Sequence, residues 1–313
     1  MPNKQLPIVT IVTSTYKHEK YLHKTIDSVL NQDYPNVEYI VINDGSPDGT
    51  EEILKSYGAR FYWETQKNAG EVPTLNRALR MAKGELVGKL SSDDYLYPNY
   101  VSEVVNVFMN NPEIIVTYTD FDLIDEDGRV MQNIQKPNFN DIMAVKNHLC
   151  LPGPGTLFRR EIFDKLGGFY TGFRILFDMD FWWRASLHGI ITRLPATLAA
   201  FRAHSNSQSN TGGIRMAEET IQCVERFYSI PDLPQKFKKV KGQAFSNAFY
   251  SAAMQSLLGN DVAKCKYYLQ RSFLSSPLNY FIGENRAKAK NVVNVMASLV
   301  RRDFRNSLAK IRK

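Results

Sequence analysis

The sequence has few cysteines. Cys150, Cys223 and Cys265 are the three that occur in 313 residues, and they lie far apart. Disulfide frameworks and structural zinc sites both need cysteines at close, paired spacing. We therefore expect neither a disulfide nor zinc, and the pattern is typical of a reduced cytoplasmic protein.

Long apolar runs are also missing. A membrane-spanning helix needs roughly 18 apolar residues in a row, whereas the N-terminal run covers only residues 8–12. No low-complexity tract is present, while 43% of the residues are hydrophobic and 12% aromatic. We expect an ordered globular protein, neither secreted nor transmembrane, that is long enough for two folding units.

Acidic charge is scarce in the last part of the chain. From Lys236 onward the chain contains 16 Lys and Arg but only three acidic residues. The first 235 residues therefore contain 23 Lys and Arg and 29 acidic residues. The net charge of +7 therefore combines a body of −6 with a tail of +13. A basic tail predicts an anionic partner, either membrane headgroups or nucleic acid.

The end of this tail has the pattern of an amphipathic helix. Basic residues border an apolar stripe, which consists of Val293, Met296, Val300, Phe304, Leu308 and Ile311. A continuous apolar face favours an anionic membrane surface over nucleic acid, which needs charge alone. The stripe could instead pack on the body of the protein, or on a second copy in a homo-oligomer.

Apolar, β-branched runs alternate with helical patterns in the first hundred residues. Strands are predicted at residues 7–14, 37–42 and 59–64 and from Leu86, with helices between them. This alternation predicts an α/β fold with a mostly parallel central sheet flanked by helices. Ligands bind such sheets beyond the carboxyl ends of the strands.

The later part of the chain is expected to change character. Strands are predicted at residues 114–119, 190–194 and 198–204. Helical patterns at 245–258 and 262–274 predict an antiparallel hairpin. We therefore expect an α/β domain over residues 1–209 and a C-terminal α-helical appendage over 210–313.

Two adjacent carboxylates, Asp93 and Asp94, follow the strand that begins at Leu86. Because like charges repel, such a pair is stable mainly when a cation, a helix N-terminus or ligand hydroxyls take up the charge. Hard oxygen ligands suit Mg²⁺ or Mn²⁺ carrying a diphosphate. A solvated turn that caps the next helix is the alternative.

An ordered series of short motifs resembles the family 2 inverting glycosyltransferases. The series comprises Thr13-Ser14-Thr15-Tyr16, Asn43-Asp44-Gly45-Ser46, Asn68-Ala69-Gly70, Ala82-Lys83-Gly84-Glu85, Ser92-Asp93-Asp94, Gly167-Gly168-Phe169, Asp178-Met179-Asp180-Phe181-Trp182-Trp183 and Phe201-Arg202-Ala203-His204. The resemblance covers residues 7–209 and rests on the order of the motifs. It implies a single nucleotide-binding domain of GT-A type with a mixed central sheet.

The resemblance also implies individual roles. Thr13, Thr15 and Asp44 match positions that hold the nucleotide, where Asp44 is suited to accept a hydrogen bond from a pyrimidine N–H. Asp93 and Asp94 match an acidic metal motif, in which one carboxylate contacts ribose and the other a diphosphate-bound cation. We assign the metal to Asp94, although a turn role for Asp44 stays open.

Further matches lie in the second half of the chain. Asp178 matches the catalytic base, with an N-cap role as the alternative and Asp180 as a competitor. His204 resembles a histidine that completes the metal site in some relatives, or is structural. Arg159 could neutralise diphosphate oxygens, or could lie in the exposed first turn of a helix. The aromatic residues after Asp180 are expected in the core.

The resemblance implies a cytoplasmic, metal-dependent inverting glycosyltransferase that uses Mn²⁺ or Mg²⁺ and a nucleotide-sugar donor, with a UDP-sugar favoured. Its acceptor would be a glycan or a lipid-linked molecule in cell-surface polysaccharide synthesis, and no nucleic-acid partner is expected. A nucleotidyltransferase would be expected to carry a glycine- and lysine-rich phosphate loop, which residues 13–16 do not offer. A non-catalytic scaffold would be expected to have lost Asp178 or both Asp93 and Asp94.

Overall fold

The computed structural model describes residues 6–204 and 213–277. The chain divides into two compact units, residues 1–141 with 150–211, and residues 142–149 with 212–313. The predicted domain boundary at residue 209 and the amphipathic helix predicted over 293–311 lie outside the described residues. Both stay predictions.

A nine-stranded sheet forms the centre of the first unit. Its strands are β1 Val9–Thr15, β2 Val37–Asn43, β3 Tyr62–Thr65, β4 Leu86–Lys89, β5 Tyr95–Leu96, β6 Ile114–Ile124, β7 Val130–Ile134, β8 Thr156–Arg159 and β9 Ile190–Arg202. Their order is β3-β2-β1-β4-β8-β6-β9-β5, with β7 paired to β6.

The strand directions explain where ligands can gather. β3, β2, β1 and β4 run parallel to one another, and β8 runs antiparallel to both β4 and β6. β6 and β9 are parallel to each other and thus share the direction of β1. The carboxyl ends of these parallel strands form one edge of the sheet, called here the carboxyl edge. The predicted mixed, mostly parallel sheet is confirmed.

Helices flank the sheet and form the second unit. They are α1 Glu19–Leu30, α2 Thr50–Ser56, α3 Glu71–Met81, α4 Tyr100–Asn110, α5 Asp141–Asn147, α6 Arg160–Leu166, α7 Phe177–Ala185, α8 Gly213–Tyr228, α9 Gln235–Lys238, α10 Lys241–Leu258 and α11 Val262–Ser275. α1 illustrates why they form, since Leu22, Ile26 and Val29 recur at helical spacing and are buried. They pack in one core with Val9 and Ile11 of β1.

Two strand predictions were wrong in length. β6 continues through Asp120 to Ile124, because the Asp120 carboxylate is neutralised inside the sheet by Arg193, with Oδ1–Nε and Oδ2–Nη2 distances of 2.8 and 2.5 Å. β9 is one strand where two were predicted. It stays paired with β6 across a register shift, in which residues 195–196 bulge out. Pro195 lacks an N–H and is tolerated in such a bulge.

The predicted helical hairpin is present in the second unit. α10 packs against α11, and the Asp261 side chain caps α11 by accepting a hydrogen bond from the Lys264 N–H at 3.0 Å. Ala253, Cys265 and Leu269 form the buried core of the hairpin. Among the helices that the structure describes, none has both the length and the apolar character needed to cross a membrane.

Candidate active site

The loop after β4 directs its two carboxylates to different places. The Asp94 side chain is 3% exposed, and its Oδ1 accepts a hydrogen bond from the Arg202 N–H at 2.9 Å. The Asp94 carbonyl accepts another from the Thr25 hydroxyl at 2.7 Å. Burial, together with the charge of Asp93, raises the pKa of Asp94 well above its ordinary value. Asp94 thus joins the loop to the end of β9.

Asp93 faces two histidines. Its Oδ2 lies 2.9 Å from His204 Nε2, and His18 Nδ1 lies 2.7 Å from the Ser92 hydroxyl. His18, Asp93 and His204 each offer one ligand atom, and these atoms lie within 4.8 Å of one another. Burial lowers the pKa of His18. The neighbouring His204 lowers this pKa further, whereas the charge of Asp93 acts in the opposite direction. A neutral imidazole, which can ligate a metal, is thereby favoured.

This cluster, called here the His–Asp cluster, changes the sequence assignment of the metal site. The geometry favours Asp93 over Asp94 as the carboxylate ligand, because the Asp94 side chain turns to the backbone of β9. His204 lies beside Asp93, and its role as a metal ligand stays a prediction. His18 was missed, although its position directly after the first strand, at the start of α1, already implies the carboxyl edge.

The predicted nucleotide residues have different surroundings. Asp44, 2% exposed, accepts hydrogen bonds of 2.8 Å from Gln66 Nε2 and from the N–H groups of Ala69 and Gly70. Its carboxylate therefore fixes the loop before α3. The Thr15 hydroxyl is buried and has no hydrogen-bond partner among residues 6–204 and 213–277. An unpaired buried hydroxyl at the end of β1 is suited to meet a ligand.

Thr13 supports the site from inside the sheet. Its side chain is fully buried, its hydroxyl donates to the Leu90 carbonyl at 2.9 Å, and the Tyr39 hydroxyl donates to it at 3.1 Å. Both hydrogen-bonding directions of the hydroxyl are thus used within the core. The geometry places Thr13 as a support for β1 and β4, where the sequence predicted a nucleotide contact.

Arg159 lies at the wrong edge of the sheet for the predicted diphosphate contact. Its Nε donates to the Ile114 carbonyl at 2.8 Å, and its guanidinium lies 5.4 Å from the Phe108 ring centroid. The reason is strand direction, since β8 is antiparallel to β4 and its last residue pairs with Leu86, the first residue of β4. Arg159 therefore connects the end of α4 to the start of β6.

Asp178 and Asp180 are separated by their partners. Asp178 lies in the first turn of α7, where Leu176 is the N-cap residue, so the alternative N-cap role of Asp178 is wrong. The Asp178 Oδ1 accepts the Met179 N–H at 2.7 Å. Asp180 is 2% exposed and pairs with Arg184 at 2.8 Å. Asp178 is consequently the better candidate for proton transfer.

The aromatic residues of α7 belong to the core, as predicted. Phe181, Trp182 and Trp183 are between 0% and 2% exposed. The Phe181 ring packs against Phe169 with 4.8 Å between the ring centroids. These side chains position α7 and are not a surface on which a sugar could stack.

Two lysines near Asp178 and one arginine were missed. Arg202 donates from Nε to the Asp93 carbonyl at 2.9 Å and from Nη1 to the carbonyls of residues 125 and 126.

The two lysines follow strands of the sheet. Lys89 ends β4, and Lys136 follows β7. Burial lowers the pKa of Lys89, but Asp178, Glu71 and other neighbours raise it more, so that it lies above its ordinary value. Arg202 belongs to the Phe201-Arg202-Ala203-His204 motif but was assigned no role, and no sequence pattern marked the two lysines.

Comparison with known proteins is consistent with this geometry. Residues 10–167 match the family model described as Glycosyl transferase family 2. An uncharacterized glycosyltransferase of Rickettsia typhi is 30% identical over 217 residues, which cover 67% of this chain and 68% of the relative. Chondroitin synthase of Escherichia coli is 33% identical over 133 residues, 42% of this chain and 19% of the synthase.

Solved structures share the fold. Residues 1–349 of S. aureus TarS, in complex with UDP-GlcNAc, match with a TM-score of 0.63 and 16% identity, covering 87% of this chain and 92% of that one. The mannosyltransferase PcManGT from Pyrobaculum calidifontis, in complex with GDP-Man and Mn²⁺, matches with a TM-score of 0.58 and 17% identity. The match covers 95% of this chain and 81% of the mannosyltransferase chain. At these identities the likeness concerns the fold alone.

Proposed function

The chain belongs to glycosyl transferase family 2, and from this membership we propose that it transfers a sugar, with inversion, from a nucleoside-diphosphate donor to an acceptor hydroxyl. The observation that carries the proposal is the His–Asp cluster at the carboxyl edge, where ligands of such sheets bind. The unpaired hydroxyl of Thr15 ends a strand at the same edge.

The donor atoms of the cluster fit a divalent cation. His18 and His204 offer nitrogen and Asp93 offers oxygen, all within 4.8 Å of one another. Mg²⁺ takes oxygen ligands, so this mixed set favours Mn²⁺. When bound, Mn²⁺ would neutralise charge on the departing diphosphate. The complex of PcManGT with Mn²⁺ supports the proposal.

Inversion requires one base. Asp178 would take the proton of the acceptor hydroxyl on the face of the sugar opposite the diphosphate. Its carboxylate is only half-buried, whereas the Asp180 carboxylate is held by Arg184. Thr15 and the loop fixed by Asp44 would hold the nucleoside. We favour a UDP-sugar as donor, supported by the complex of TarS with UDP-GlcNAc.

The acceptor proposed is a glycan or lipid-linked molecule in cell-surface polysaccharide synthesis. Similarity to a chondroitin synthase supports a polysaccharide product. The rival functions keep the fold but do not use the site in this way. A scaffold would not need the His–Asp cluster, and a nucleotidyltransferase would be expected to carry a phosphate loop, which residues 13–16 do not offer.

Calorimetric titration with nucleotide sugars tests the donor and the metal together. We expect one UDP-sugar to bind at least about tenfold more tightly with Mn²⁺ than without it, because the cation joins the cluster to the diphosphate. GDP-mannose and UDP alone serve as comparisons. Tighter binding of GDP-mannose would change the donor, and absence of binding by every nucleotide sugar would overturn the function.

We further propose that residues 291–313, the end of the basic tail and outside the described residues, attach a cytoplasmic enzyme to the inner face of a membrane. Deletion of residues 291–313 is expected to release the protein from anionic vesicles in a flotation assay and to leave UDP-sugar binding unchanged, since each basic residue near the surface adds about 1 kcal/mol. Vesicles of neutral lipid are the control. Equal flotation of both proteins would contradict the proposal.

A further inference from the structure

Two lysine side chains lie near Asp178, and neither forms an ion pair among the residues that the structure describes. The Lys89 Nζ is 5.2 Å from the Phe177 ring centroid, and the Lys136 Nζ is 5.3 Å from the Phe121 ring centroid. Within residues 6–204 and 213–277, neither ammonium group makes an ion pair or a side-chain hydrogen bond. Both side chains are half-buried.

A stacked lysine keeps its charge available. An aromatic face attracts the ammonium and fixes its position without neutralising it. Partly buried charges are otherwise costly, and side chains that can reach water turn towards it. Two ammonium groups held in this way next to one carboxylate therefore need a reason beyond packing.

The surrounding acids do not use up the positive charge at Lys136. Burial lowers the pKa of Lys136, and the nearby groups Cys150, Asp178 and Asp120 act in the opposite direction. Asp120 is already paired with Arg193 through two contacts, and burial raises the pKa of the Cys150 thiol, which is therefore neutral. Asp178 remains, and it also acts on Lys89, together with Glu71. Among the described residues, neither lysine is held in an ion pair with these carboxylates.

We propose that Lys136 and Lys89 form an anion-binding subsite for the acceptor, and that the acceptor carries a carboxylate or a phosphate close to the hydroxyl that is glycosylated. The proposal rests on the proposed function, since it takes Asp178 as the base. A base must lie within hydrogen-bond reach of the hydroxyl it deprotonates, so the groups around Asp178 surround the acceptor. The ammonium groups would then pair with its anionic group.

Charged and neutral sugars of the same size test this inference. With saturating UDP and Mn²⁺, binding of D-glucuronate, glucose 6-phosphate and neutral glucose is measured by calorimetric titration, with titrations into UDP and Mn²⁺ without protein as blanks. We expect the wild-type protein to bind one anionic sugar about tenfold more tightly than glucose. The glucuronate and phosphate arms distinguish the two sources of the anion. Equal binding of all three sugars would overturn the proposal without any variant.

Variants then assign the effect to the lysines. Lys136→Met and Lys89→Met should each reduce the preference for the anionic sugar several-fold and leave glucose binding unchanged, while Lys136→Arg retains the preference. Lys24→Met is the matched control, because Lys24 also stacks on a ring, 5.0 Å from the Tyr95 centroid, but is exposed.

UDP binding, measured for every protein, separates the possible failures. A wild-type protein that does not bind UDP contradicts the proposed function. A Lys136→Met protein that binds UDP normally and keeps the full preference for the anionic sugar contradicts the subsite.

Discussion

Asp178→Asn is expected to keep donor binding and to lower the rate of sugar transfer by a factor of about 10² to 10⁴, the usual contribution of a general base. An asparagine fits the same space and can still accept the hydrogen bond that the Met179 N–H now donates to Asp178. It cannot accept the proton of the acceptor hydroxyl. Calorimetry with the donor and a transfer assay with the acceptor measure the two effects separately.

Asp180→Asn is the matched control for this prediction. Asp180 is buried and pairs with Arg184, whose guanidinium also donates to the Leu166 carbonyl at 3.1 Å. The substitution should lower the melting temperature, because it leaves the partly buried Arg184 guanidinium without its charged partner. The turnover of the folded fraction should stay near that of the wild type. The opposite outcome, with Asp178→Asn active and Asp180→Asn inactive, would transfer the role of base to Asp180.

The sequence could bring the candidate site residues to one edge of the sheet because that placement depends on local patterns. Alternating strands and helices impose a parallel sheet, and in a parallel sheet the ends of β1, β2 and β4 share one edge. The positions of Thr15, Asp44 and Asp93 at this edge follow directly from that rule. Nothing beyond the order of the elements is needed to bring these residues to the carboxyl edge.

The errors arise from long-range pairing. Arg159 follows a strand like the others, but β8 is inserted antiparallel between β4 and β6, which reverses the edge at which it ends. The residues around Pro195 were predicted to break a strand, whereas β9 pairs with β6 on both sides of the bulge. A short sequence pattern contains no information about either partner strand.

Predicting the proposed metal site required both kinds of information. Asp93 was predictable from its neighbours, but His18 and His204 come from opposite ends of the first unit and meet only because β9 returns beside the loop after β4. The choice between Asp93 and Asp94 depends on a single backbone hydrogen bond, from the Arg202 N–H to Asp94. No property of two consecutive aspartates reveals which of them receives it.

Asp93→Ala and His204→Ala should each remove most of the gain in UDP binding that Mn²⁺ gives, which we expect to be about tenfold or more, and should change metal-free binding little. Loss of a group that only orients a metal-binding side chain costs 10- to 100-fold in metal affinity. Loss of the metal-binding side chain itself should lower the metal affinity at least as much. Calorimetry with UDP, with and without Mn²⁺, measures the difference. His188→Ala is the control, since His188 is an exposed histidine outside the cluster.

Two further variants locate the ligands within the His–Asp cluster. His18→Ala should reproduce the Mn²⁺-dependent loss if the β1–α1 loop contributes a ligand, as the 4.8 Å limit on the ligand-atom separations implies. Asp94→Asn should have a smaller effect than Asp93→Asn, because an amide oxygen can still accept the hydrogen bond from the Arg202 N–H. If instead Asp94→Asn abolishes the Mn²⁺ effect and Asp93→Asn retains it, Asp94 is the ligand, as the sequence motif implied. If neither change alters UDP binding under Mn²⁺, the cluster does not hold the metal.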